Sequence, residues 1–345
     1  MEASRRNVLF DNFRGILVFV FVMLAVLGGI FRADVPEWIF SHALGRSLGP
    51  FGSPFTPVDL GMIFFYFVGG MTAVPAFKRR AASLGKNQAL KRLFIRNIGL
   101  IGIGAVMYLV AGIVNKSPEP GAWGPLHSIG FTGLIVMFFL NLKPKWRALA
   151  GVALTAVHDI FPGFMYTYLC TPNFGADGGF AICVIYAGFF LITTVLFDLY
   201  EKGFGYFLLG LLPIFAYAAV VYGFGIIPPS YHPYNATFFA VTYCVVALLF
   251  ILIKVVSEAV TRVLEKRILK RKVSGLIPLI GRMGRNLLFY FIARYPIALL
   301  FQILYSSLFV RMGAVAGGIA VTALSIALLY GVEIFFKKKN IIIKL

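Results

Sequence analysis

The chain reads as an all-α, polytopic membrane protein, a helical bundle of about ten transmembrane helices with both termini in the cytoplasm. Three observations lead there. Of the 345 residues, 60% are hydrophobic and only 13% charged, whereas a soluble domain carries about 25% charged residues. Apolar runs approaching the roughly 20 residues that cross a bilayer recur along the whole chain. Basic residues also sort into alternate loops, as they do in inner-membrane topology. The alternating segments of a transmembrane β-barrel, roughly ten residues each, are absent.

The spans are expected at 16–30, 60–77, 100–114, 129–142, 148–164, 180–197, 206–222, 236–256, 287–309 and 314–336. The first follows Phe10-Asp11-Asn12-Phe13-Arg14-Gly15 and shows no small-residue cleavage site after it, so it reads as a span rather than a signal peptide. Only Lys143-Pro144-Lys145-Trp146-Arg147 separates the fourth from the fifth, which suits a short turn. No internal repeat or soluble insert interrupts the series, so residues 1–345 are expected to form one membrane domain.

With the N-terminus placed in the cytoplasm, only Arg32, Arg46, Lys116 and Arg311 fall on the outer side, against 28 of the 32 basic residues inside. An even number of spans returns the C-terminus to the same side. The net charge of +19 would point to nucleic acid in a soluble protein. Here the cations border the cytoplasmic leaflet, so the expected partners are anionic lipid and a cytosolic anion, with no nucleic acid. Two clusters suit anion binding. One holds Lys78, Arg79, Arg80, Lys86, Lys91, Arg92 and Arg96. The other holds Lys266, Arg267, Lys270–Lys272, Arg282 and Arg285.

Cys170, Cys183 and Cys244 have no metal-ligand spacing, and no metal is expected. Asn235-Ala236-Thr237 fits a glycosylation sequon on the outer side, with meaning only in a eukaryotic secretory pathway. His42 and His232 lie in outer segments. His42 is read either as a solvated loop residue or as a general base. His158 and Asp159 sit about ten residues into the fifth span, where ionisable groups are functional candidates; alternatively the span ends there, with Asp159 at the interface. Neighbours on a helix point about 100° apart, so the two are not expected to form a dyad by themselves. Asp59 opens the second span as a cap or as a site residue. Arg294 and Gln302 share a face of the ninth span, and Glu333 is expected to pair with Lys337 one turn on.

Taken in order, Phe10–Gly15, Trp38-Ile39-Phe40-Ser41-His42-Ala43, Phe55-Thr56-Pro57-Val58-Asp59-Leu60, Phe65-Tyr66-Phe67-Val68-Gly69-Gly70, Leu90-Lys91-Arg92-Leu93-Phe94-Ile95-Arg96 and Trp123-Gly124-Pro125-Leu126-His127-Ser128 resemble transmembrane acyltransferases of the heparan-α-glucosaminide N-acetyltransferase type. The resemblance covers about residues 5–142, with Pro278–Leu287 suggestive beyond it. Related sequences more often carry glutamine at the position of His127. The resemblance implies a cytosolic acetyl-CoA or other acyl-CoA donor and a sugar amine or hydroxyl acceptor on the outer side. His42 matches the motif histidine and Asp59 the motif aspartate.

The catalytic candidates are therefore His42, Asp59, Asp159 and His158. The candidates for the donor's phosphates are Arg14, Lys78, Arg79, Arg80, Arg92, Arg96, Arg282 and Arg285. The expected activity is acyl-CoA-dependent O- or N-acyl transfer across a bacterial plasma membrane, by a chain that can homo-oligomerise. The alternatives are a transporter or flippase for an anionic or lipid-linked substrate, and a non-catalytic donor-binding partner.

Overall fold

The first helix is in close backbone contact with a segment some 270 residues further on. A computed structural model describes residues 8–31, 39, 56–57, 59–114, 123–161, 179–226, 229, 235–266 and 276–342. In these residues α1 (Val8–Phe31) meets α9 (Leu276–Arg285) so closely that a Cβ on Gly15 would lie 1.8 Å from the Ile280 carbonyl oxygen. One on Gly284 would lie 1.9 Å from the Asp11 carbonyl oxygen. Glycine is the residue that admits such backbone approach. Gly281, packed against Asn12, extends the same contact.

The remaining helices are α2 (Leu60–Leu84), α3 (Lys86–Val114), α4 (Pro125–Val136), α5 (Pro144–Ile160), α6 (Gly179–Lys202), α7 (Phe204–Gly223), α8 (Ala236–Lys266), α10 (Leu287–Leu304) and α11 (Ala314–Lys338). A π turn, Tyr305–Phe309, and a 3-10 turn, Val310–Met312, lie between α10 and α11. The described structure is all-helical. Eight of its helices are long and apolar enough to cross a membrane.

The two runs expected as the fourth and fifth spans are the ones that fall short. Helix α4 has 12 residues and α5 has 17, about 18 and 25 Å at 1.5 Å per residue, against a hydrocarbon core of about 30 Å. The expected fourth span continues to Leu142, but the helix stops at Val136. Beyond it the chain turns tightly, with Phe139 N–H donating to Val136 O and Leu142 N–H to Phe139 O, both at 2.9 Å. Hydropathy cannot register those turn bonds, because the residues that make them are themselves apolar.

The chain divides into two compact units. The first draws on Met1–His42, Leu48–Gly61 and Ala247–Lys344. In it α1 packs on α9, α10 and α11 around Val18, Val22, Val26, Met283, Tyr290, Phe301 and Leu329. Phe10 stacks on Phe250 and Phe13 meets the same ring edge-on.

The second unit draws on Ala43–Ser47 and Met62–Val246. Its centre is α6, with 78% of its apolar stretch enclosed against 17% for α7. A helix apolar on every face and surrounded by protein is a core helix; one apolar and uncovered faces lipid. Small residues let neighbours approach α6, as is common between membrane helices. Gly70 lies against Thr193, and Gly151 of α5 against the Gly188 carbonyl. A glycine with φ +82°, Gly85, turns α2 into α3.

The α1–α9 contact leads to a measurable expectation. A Gly284→Ala methyl meets a backbone oxygen that cannot step aside, so this variant should lose about 1–3 kcal/mol of stability and show a clearly lower thermal midpoint in detergent. Gly331→Ala, in α11 of the same unit, adds a methyl where nothing lies within 4 Å and should not lower it. Equal midpoints for the two variants would contradict the contact.

Candidate functional site

Helix α5 carries a buried ionisable side chain near each end. Near its start, Arg147 is 1% exposed and bonds the Asp198 carboxylate of α6 through Nη2. Its Nε donates to Leu142 O at 3.2 Å, which ties the turn after α4 to α5. A buried guanidinium without such partners would carry a desolvation cost of several kcal/mol. Arg147 Nη1 has no hydrogen-bond partner.

At the other end of α5, His158 is fully buried, and its Nδ1 lies 3.0 Å from Asp159 Oδ1. The expectation that adjacent residues cannot pair is corrected here. The helix ends at Ile160, and the short Asp159 side chain reaches back to the ring. Facing a carboxylate, Nδ1 carries the hydrogen, which makes Nε2 the basic nitrogen. Both Asp159 oxygens also accept the Ala236 N–H, at 3.1 and 3.0 Å. A carboxylate at the positive end of α8 is favoured there by the helix dipole.

Asn235 caps the same helix, accepting the Phe238 N–H at 2.9 Å, and the Thr237 side chain is fully buried. The sequon residues thus serve the start of α8. His127 also has a capping task. It is third in α4 and accepts the Gly124 N–H on Nδ1 at 3.2 Å, as Gln or Glu does in a capping box. Its ring stacks on Trp123, whose Nε1 donates to Ser128 Oγ at 2.7 Å.

In the first unit, Asp59 closes the turn into α2. Its Oδ2 accepts the Thr56 N–H at 2.8 Å and the Thr56 hydroxyl at 3.0 Å, and Pro57 occupies the second position of the turn that Asp59 N–H closes on Thr56 O, where proline is favoured. His42 lies outside the described residues. Arg14 pairs with Asp11 at 3.8 Å. The cations Lys78, Arg79, Arg80, Arg92 and Arg96 follow the facing ends of α2 and α3, most of them exposed.

Arg282 and Arg285, grouped by the sequence in one basic cluster, lie together. They line a cavity of about 140 Å³ with Asn286, Glu333, Lys337 and Asn340. Glu333 is 1% exposed and does not pair with Lys337 as expected. Tyr290 OH donates to its Oε1 at 2.7 Å, and Arg282 Nε lies 3.7 Å from its Oε2. The sequence held a signal for this inward turn. Val321, Ser325 and Leu329 precede Glu333 at four-residue intervals, and all are fully buried, so the stripe carries Glu333 inward. The Arg147–Asp198 pair left no such trace.

No family model matches the chain, and no curated protein matches it.

The buried ion pair is testable by a double-mutant cycle. Asp198→Ala leaves Arg147 uncompensated and should cost about 3–5 kcal/mol. Replacing both residues by Leu should recover most of that loss in thermal unfolding. Additive losses would mean the pair is not coupled.

Proposed function

We propose that the protein is a membrane acyltransferase that moves an acyl group, most simply acetyl, from cytosolic acyl-CoA onto a sugar amine or hydroxyl on the opposite side. The observation that carries this reading is the His158–Asp159 pair. Acyl transfer needs a base to take the acceptor's proton, and an imidazole oriented by a carboxylate is built for that task. The resemblance assigns the base to His42 with Asp59 nearby in the motif; the geometry favours His158 with Asp159.

Arg14, Lys78, Arg79, Arg80, Arg92, Arg96, Arg282 and Arg285 are proposed to attract and hold the donor's phosphates. The proposal puts both termini in the cytoplasm, in keeping with the sorting of basic residues along the sequence. The α4–α5 pair adds two crossings or none, so the parity of the spans is the same either way. With that pair counted the spans number ten. The plasma membrane of a bacterium and a homo-oligomeric state complete the proposal.

A second reading, transport of an anionic substrate, draws on Arg294. This cation lies within α10, with its guanidinium 4.2 Å from the Phe291 ring centre and 5.9 Å from that of Phe21. Its Nε is buried without a hydrogen-bond partner, and intramembrane cations of this kind often mark ion or substrate routes.

The two readings separate in sealed proteoliposomes with labelled acetyl-CoA outside and glucosamine inside. Acyl transfer releases free thiol outside and labelled acetylglucosamine inside. His158→Gln should slow that reaction by on the order of 10²–10⁴-fold. A comparable loss in His42→Ala alone would assign the base to His42. Uptake of an anionic solute without thiol release would give the function to the transport reading.

A further inference from the structure

The cavity formed where α9 ends, α10 begins and α11 ends is unusual in its charge. Arg282, Arg285 and Lys337 face a single carboxylate, Glu333. Its volume of about 140 Å³ compares with roughly 10–15 Å³ on the same measure for one water, so it admits a group of several heavy atoms. Asn286 lines it at the start of α10, and a helix N-terminus favours an anion.

A second observation concerns how the carboxylate is held. Arg282 Nε is buried with no hydrogen-bond partner. The carboxylate facing it stands at 3.7 Å, beyond hydrogen-bond reach. Tyr290 holds the other Glu333 oxygen at 2.7 Å. Glu333 therefore balances the charge of Arg282 without using its N–H.

We propose that this cavity is a phosphate-group site. Arg282, Arg285 and Lys337 supply the charged donors, and Glu333 is a built-in competing carboxylate. The surplus of two positive charges suits a phosphate dianion, and guanidinium forks match its oxygens. When the phosphate enters, it meets the guanidinium groups of Arg282 and Arg285, whose side chains line the cavity. Glu333 stays on Tyr290 and repels the incoming charge, which keeps the affinity moderate and the ligand exchangeable. The phosphate comes from one of two sources, a soluble anion or an anionic lipid headgroup. In the first case the inference rests on the acyl-donor reading and places the coenzyme's phosphates here.

The test uses the full chain in nanodiscs, with thermal unfolding followed against added inorganic pyrophosphate. In phosphatidylcholine discs, pyrophosphate should raise the midpoint saturably. Arg285→Gln and Lys337→Gln should each weaken the apparent affinity about tenfold, and each variant's own midpoint without ligand checks that it has folded. Glu333→Gln, which keeps an oxygen for Tyr290, should tighten binding severalfold. In discs that also contain phosphatidylglycerol, loss of the pyrophosphate response identifies the lipid headgroup as the occupant. A response that persists identifies a soluble anion. No saturable response in phosphatidylcholine discs, or one indifferent to both Arg285→Gln and Lys337→Gln, overturns the site. Unchanged or weaker binding by Glu333→Gln overturns its role as competitor. Neither readout involves thioester consumption, so acyl transfer can fail while the site stands, and the reverse.

Discussion

The first unit is organised by backbone contact between α1 and α9. Two helices that meet at Gly15 and Gly284 place backbone against backbone there, which leaves little room for their register to shift. Everything that follows α9 inherits that register. Asn286 ends it and begins α10 within one residue, and Tyr290 lies one turn on. The position of Tyr290 in turn decides where the Glu333 carboxylate rests. A cavity with usable charge at that end of the unit is thus a downstream result of two missing Cβ atoms.

The second unit solves a different problem, that of keeping ions inside an apolar bundle. It uses the two ends of α5. Arg147 is neutralised by a carboxylate from the neighbouring helix, and Asp159 is hydrogen-bonded by a ring nitrogen and the first N–H of α8. In both cases the partner sits on another element or at a helix terminus, where unsatisfied backbone groups are available. The cost of dehydrating each charge is offset by bonds that also hold helices together, so the charged groups act as fasteners between α5, α6 and α8.

Much of the architecture was legible because a membrane span is recorded in composition and length. Eight of the expected runs coincide with long apolar helices. The α4–α5 region was less legible because its end signals are hydrogen bonds between apolar residues. Contacts distant in sequence were harder still. Phe10–Gly15 and Pro278–Leu287 each stood out as motifs, but nothing in either announced the other. The catalytic candidates were picked out by residue type, and geometry then changed their relationships. His158 and Asp159 are a bonded pair despite adjacency, Asp59 serves its own turn, and His127 caps its own helix. Glu333 was assigned to its nearest helical cation because pairing rules for exposed helices were applied to a residue on a buried stripe.

The start of α8 also bears on the order of events during biosynthesis. Asn235 can accept a glycan only through the amide that caps the helix, and Thr237, the residue that completes the sequon, is enclosed by protein. Folding and modification therefore compete for one short stretch of chain. In a cell that glycosylates, sugar on Asn235 would mark molecules in which a modifying enzyme arrived before α8 had closed. Its absence would mark those that closed first.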